Sequence, residues 1–120
     1  MKILIVDDSK AMRMLVRRAL REAGYGDHDY AEAQNGKEAL EILRAGGVDL
    51  ALLDWNMPEM TGIEVLAKVK ELGLRTKCAM ITTEASPDMQ TRAHAEGALF
   101  VVGKPFSPEV IERELRRVFG

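Results

Sequence analysis

Four short apolar runs punctuate the chain: Ile3-Leu4-Ile5-Val6, Leu50-Ala51-Leu52-Leu53, Cys78-Ala79-Met80-Ile81 and Leu99-Phe100-Val101-Val102. A continuous apolar run of about four residues bounded by polar ones reads as a strand covered on both faces. His28 to Ala33 alternates polar and apolar residues instead, which predicts an edge strand open to water on one side. Between the runs, apolar residues recur at helical spacing. Met12, Val16, Ala19 and Ala23 predict a first helix capped by Ser9 and stopped at Gly24 and Gly26. Asn35 with Glu38 resembles a capping box ahead of Ala39, Leu40 and Leu43, and Gly46-Gly47 ends that second helix. A third helix begins near Gly62 with Ile63, Leu66 and Val69 inward. Ser86-Pro87 and Ser107-Pro108 each set an N-cap residue before a proline at the first helical position, announcing a fourth and a fifth helix. The fifth has a firm apolar face in Val110, Ile111, Leu115 and Val118. The fourth offers mainly Met89, Ala93 and Ala95 and should be loosely held. Strand and helix alternate five times with no repeat or linker, which predicts one α/β domain over residues 1–120, a (βα)5 parallel sheet with helices on both faces.

What ends each strand supplies the candidate chemistry. Asp7 and Asp8 close the first run, Asp54 the second, Thr82-Thr83 the third, and Gly103-Lys104-Pro105 the fourth. Open α/β sheets bind ligands at that carboxyl edge. Taken alone, the Asp7-Asp8 pair reads more readily as a turn or helix cap, Thr82 as a backbone partner and Lys104 as a solvated charge. Asp54 at a second strand end reverses that balance. Three converging carboxylates repel unless a cation offsets them. All-oxygen ligation suits Mg²⁺ or Mn²⁺, and Mg²⁺ with Lys104 would neutralise the three acids. Asp54, ionised at neutral pH, could then act as a nucleophile toward phosphorus without a base, with Thr82 meeting a phosphoryl oxygen.

Composition narrows the function classes. A formal charge of -2 with 30% charged residues gives no strongly basic field, so nucleic-acid binding by the whole domain is disfavoured. Cys78 is alone inside an apolar run, so no disulfide is available and a reducing, cytoplasmic setting is expected. No stretch approaches the about 18 apolar residues of a membrane span. His28 and His94 share no ligand spacing. Arg13, Arg17 and Arg21 form a basic stripe on the first helix, read as a solvated face with kinase docking as its rival.

Val6-Asp7-Asp8-Ser9, Asp54-Trp55-Asn56-Met57-Pro58, Gly62, Ile81-Thr82 and Lys104-Pro105-Phe106 together resemble response-regulator receiver domains, especially stand-alone chemotaxis regulators, over the whole chain. The resemblance implies a flavodoxin-like strand order 2-1-3-4-5. It also implies Asp54 as phosphoacceptor from the phosphohistidine of a sensor histidine kinase, Asp8 as direct Mg²⁺ ligand, Asp7 acting through metal-bound water, and the Asn56 carbonyl as a further ligand. Lys104 would pair with the phosphoryl oxygens, the Lys104-Pro105 bond would be cis, and Glu84 would tune autodephosphorylation. The fourth helix, fifth strand and fifth helix would present a switchable surface to a flagellar motor component or a phosphatase, the chain acting as a monomer without membrane insertion. A receiver excised from a larger transcriptional regulator and a phosphorelay intermediate remain alternatives. Receivers of this kind often carry an aromatic residue three positions before the lysine; here that position is Val101. Phe100, one residue earlier, should face the other side of the sheet. Three rivals rank lower. A haloacid-dehalogenase-type phosphatase expects Asp-x-Asp, where Asp54 has Asn56. A flavodoxin-like carrier needs a glycine-rich phosphate loop after the first strand, and a pseudo-receiver would not need the full residue set.

Overall fold

The computed structural model describes all residues except 84 and 105. Five parallel strands, β1 (Lys2–Val6), β2 (Asp29–Ala33), β3 (Leu50–Asp54), β4 (Lys77–Thr82) and β5 (Val101–Gly103), lie in the order β2-β1-β3-β4-β5. The helices are α1 (Lys10–Leu20), α2 (Gly36–Ala45), α3 (Gly62–Glu71), α4 (Pro87–Ala95) and α5 (Pro108–Phe119). Strand alternation sorts the core into two layers. Ile3, Ile5, Leu50, Leu52, Ala79 and Ile81 pack with α1 and α5, while Leu4, Val6, Ala51, Leu53, Cys78 and Met80 pack with α2, α3 and α4. β2 is an edge strand with Asp29 and Glu32 exposed, as its alternation predicts.

The caps fall where the sequence puts them. Ser9, Asn35, Ser86 and Ser107 each accept a backbone N–H three residues on, which satisfies one of the donors a helix start leaves open. Asn35 caps without a reciprocal bond from Glu38; the full capping box is Thr61 with Glu64, at the start of α3.

Two helices depart from expectation. The first ends at Leu20 and passes into a widened turn over Arg21–Tyr25, closed by Gly24 at φ 98, so Ala23 is half-buried and lies beyond the regular helix. α4 buries only Ala93; Met89 is half-buried and Ala95 is exposed. α5 by contrast buries Ile111 and Leu115 completely, and each such side chain is worth about 1.5–3 kcal/mol of transfer. α4 is therefore the weakly anchored helix of the sheet. Phe100 joins the core beneath α1 and α5, and Val101 packs toward the opposite layer. The offset of one residue reverses the side, as expected.

Candidate functional site

Parallel register carries the strand-end residues to one place. Val6 pairs with Leu53, so Asp7, one residue beyond, comes level with Asp54. Asp54 pairs with Ile81 and Thr82 with Gly103, and the Lys104 amide donates to the Thr82 carbonyl at 2.7 Å. That bond starts the Lys104 side chain back across the sheet edge. Its Nζ donates to Asp7 Oδ2 at 2.9 Å and to Asp54 Oδ1 at 3.2 Å. The three side chains are only 8%, 5% and 10% exposed.

Asp7, Asp8 and Asp54 each offer a carboxylate oxygen, and these oxygens lie within 4.8 Å of one another. Asp8 is exposed while Asp7 and Asp54 are covered, so the cluster has one wet side. Burial, and then the charge of Asp7, hold the Asp54 carboxyl above its ordinary pKa; Lys104 pulls the other way and Asp8 adds to the rise. Burial opposes the Lys104 charge too. The hydrogen bond to Asp7 and the charges of Asp54 and Asp7 outweigh it, leaving the ammonium above the usual lysine pKa. One ammonium thus leaves the acids short of positive charge. Hard oxygen donors at this separation fit a small divalent cation, whose octahedral ligands stand about 2.1 Å from the ion.

Thr82 is fully buried at the end of β4, on the same edge. Asn56 is exposed, two residues beyond Asp54. Trp55 is buried among the residues of the α2–α4 layer. Its carbonyl accepts from the Gly62 amide at 2.9 Å, which folds the β3–α3 loop back on itself. Glu84 and Pro105, and with Pro105 the expected cis bond, lie outside the described residues. Cys78 is a packing residue, its thiol pushed up to about 12 by burial.

Two contributors escape a sequence reading. The Ser9 amide donates to Asp7 Oδ1 at 2.9 Å, so the cap residue also orients an acid. Arg13 donates to the Asp7 carbonyl at 2.7 Å and pairs with Glu32 at 2.9 Å, its side chain 14% exposed. Of the basic stripe, Arg13 is therefore bound inward, and Arg17 lies over the Tyr30 ring at 5.0 Å. Neither arginine is simply solvated. Only the nearness of β1 and β2 brings Glu32 beside Arg13, and no local spacing encodes it.

Residues 3–116 match the family described as response regulator receiver domain. The chain belongs to that family. The receiver is 39% identical to a chemotaxis protein CheY of Pseudomonas aeruginosa, over 99% of this chain and 96% of the relative. It is equally identical to CheY1 of Helicobacter pylori, over 100% of this chain and 98% of that one. Among solved structures it resembles chemotaxis protein CheY4 of Vibrio cholerae at TM-score 0.85 and 37% identity, covering 98% of both chains. A CheY-like receiver domain protein of Methanospirillum hungatei JF-1 superposes at TM-score 0.85 with 27% identity, over 98% of this chain and 91% of that one. The likeness to chemotaxis regulators thus runs the whole length of the receiver. None of its helices is long and apolar enough to cross a membrane, among the described residues.

Proposed function

We propose that the chain is a stand-alone chemotaxis-type regulator whose Asp54 takes a phosphoryl group from the phosphohistidine of a sensor kinase. The observation that carries this reading is the meeting of Lys104 Nζ with Asp54 and Asp7 beside a three-carboxylate cluster. Asp54 Oδ attacks phosphorus, the P–N bond to the imidazole breaks, and the kinase histidine leaves with the electron pair. Lys104 shifts from the carboxylate to a phosphoryl oxygen, and the Thr82 hydroxyl meets another. Asp8, Asp54 and the Asn56 carbonyl would hold Mg²⁺, with Mn²⁺ as a substitute and Asp7 acting through water; the ion offsets the charge of the acids and of the transferred group. Hydrolysis reverses the bond: water attacks phosphorus and Asp54 departs as carboxylate, at a rate tuned by Glu84. The output is binding, through α4, β5 and α5, to a motor-switch component or a phosphatase in the cytoplasm.

Acetyl phosphate with Mg²⁺ tests the chemistry. A single phosphoryl adduct by intact mass, dependent on the divalent ion and labile to hydroxylamine, is expected; no adduct with any small donor would refute the reading. Lys104→Ala should form the adduct about tenfold more slowly or worse, having lost a cation aimed at the developing charge. The phosphorylated variant should also leave amide exchange in α4 unchanged. Without divalent ion its urea midpoint should correspond to a loss of about 3 kcal/mol, since Asp7 and Asp54 then face each other uncompensated.

A further inference from the structure

We infer that Arg92 is a positioning residue: it ties α4 to the loop carrying the reactive aspartate, through the face of Trp55. The inference rests on the switch reading above and adds the route by which the site reaches α4. Trp55 follows Asp54 directly in the chain, is 7% exposed, and has its carbonyl bound by the Gly62 amide. Its indole is therefore fixed relative to the carboxylate. The Arg92 guanidinium carbon stands 5.9 Å from the centroid of that ring, within the about 6 Å reach of a cation–π contact. Glu64 and Glu96 line the same groove between α3 and α4, so the cation lies in an acidic setting. Among the described residues the exposed Arg92 forms no ion pair, and the indole face is the contact its guanidinium makes.

Weight falls on this contact because the other anchors of α4 are slight: a half-buried Met89 against the core and a Lys70 Nζ bond to the Ala95 carbonyl at 3.2 Å. Its only buried residue is the small Ala93. The strand beneath offers no aromatic lever either: Val101 stands on the α4 side, and Phe100 is turned into the opposite layer. A shift at Asp54 thus moves Trp55 directly, and Trp55 meets α4 through Arg92. In the resting molecule the contact clamps α4 down; a phosphoryl group on Asp54 shifts the Trp55 ring and releases it.

Trp55 is the only tryptophan in the sequence, so emission reports the surroundings of this ring and amide exchange in α4 reports the helix it meets. The test compares parent, Arg92→Ala and Arg92→Lys full chains, first without any phosphoryl donor. Arg92→Ala is expected to shift Trp55 emission to the red and to speed amide exchange about fivefold in α4 but not in the other helices. Arg92→Lys, which keeps a cation, should retain most of the parent behaviour. Beryllofluoride with Mg²⁺, a tetrahedral stand-in for the phosphoryl group, is then added. The parent's α4 exchange should rise toward that of the alanine variant, whose own exchange should barely change. Unchanged emission and α4 exchange in Arg92→Ala would overturn the clamp, as would an acceleration shared by every helix. A parent that does not respond to beryllofluoride overturns the phosphoryl-switch reading, and the donor-free comparison still decides the clamp.

Discussion

Asp54→Asn is expected to take up no phosphoryl group from any donor and yet to be more stable than the parent at neutral pH without divalent ion. The loss of chemistry is complete because an amide oxygen is no nucleophile toward phosphorus, and the neighbouring Asp7 carboxylate is held by Lys104 and the Ser9 amide. The gain in stability follows from the raised pKa of Asp54, caused first by burial and then by the charge of Asp7. A carboxyl whose pKa rises on folding prefers its proton in the folded state. Its contribution is fully present below the unfolded value and is lost as pH climbs through the folded one. Asparagine is neutral at every pH and fills the same volume, so the advantage of the variant should widen from about pH 4 toward neutrality and vanish in acid. Thermal unfolding of both chains in a chelator, over that range, checks the sign. Saturating Mg²⁺ should reverse the order, because an ion that binds only the folded parent stabilises it by mass action. A variant less stable than the parent at neutral pH in chelator would mean that Asp54 serves Lys104 more than it suffers from Asp7.

The ends of strands were legible because they combine two strong signals, an apolar run and the polar group that stops it. Asp7, Asp8, Asp54, Thr82 and Lys104 all follow from that rule, and parallel pairing does the rest by bringing successive strand ends to one edge. Serine before proline fixed the starts of α4 and α5 for the same reason, a local side-chain bond that needs no tertiary partner. Contacts between elements distant in the sequence were not legible. Arg13 looks locally like part of a surface stripe, since its partner Glu32 sits at the far end of another strand. Nothing local to Trp55 shows that Arg92 will come to rest over its ring. Apolar periodicity carries the predicted first helix on to Ala23, past Leu20, because the backbone widens there without any change in the apolar pattern. Chemistry at an edge can be inferred one strand at a time; the residues that brace it depend on which elements become neighbours.

Gly62→Ala is expected to cost about 3 kcal/mol of stability, at the top of the usual range for an inserted methyl, and to slow adduct formation at Asp54. A Cβ at Gly62 would stand 2.2 Å from the Asp54 carbonyl oxygen and 2.7 Å from the Met80 terminal methyl. The methionine can swing aside. The carbonyl cannot, because Asp54 is the last residue of β3 and is paired in register with β4. Relief therefore requires either the start of α3 to lift or the Asp54 backbone to move. Lifting α3 breaks the Gly62 amide bond to Trp55 and loosens the Thr61–Glu64 cap. Moving Asp54 displaces its carboxylate from Lys104. Gly103→Ala is the matched control: its Cβ would meet Ala85 Cβ at an ordinary 3.6 Å, and the position has no positive φ, so stability should stay within about 0.5 kcal/mol. Urea unfolding of the two variants measures the contrast, and the acetyl phosphate reaction tells which way Gly62→Ala relaxes. Slow phosphorylation with Trp55 emission unchanged would mean that the strand end has yielded; normal phosphorylation with altered emission would mean that α3 has lifted and carried the β3–α3 loop with it.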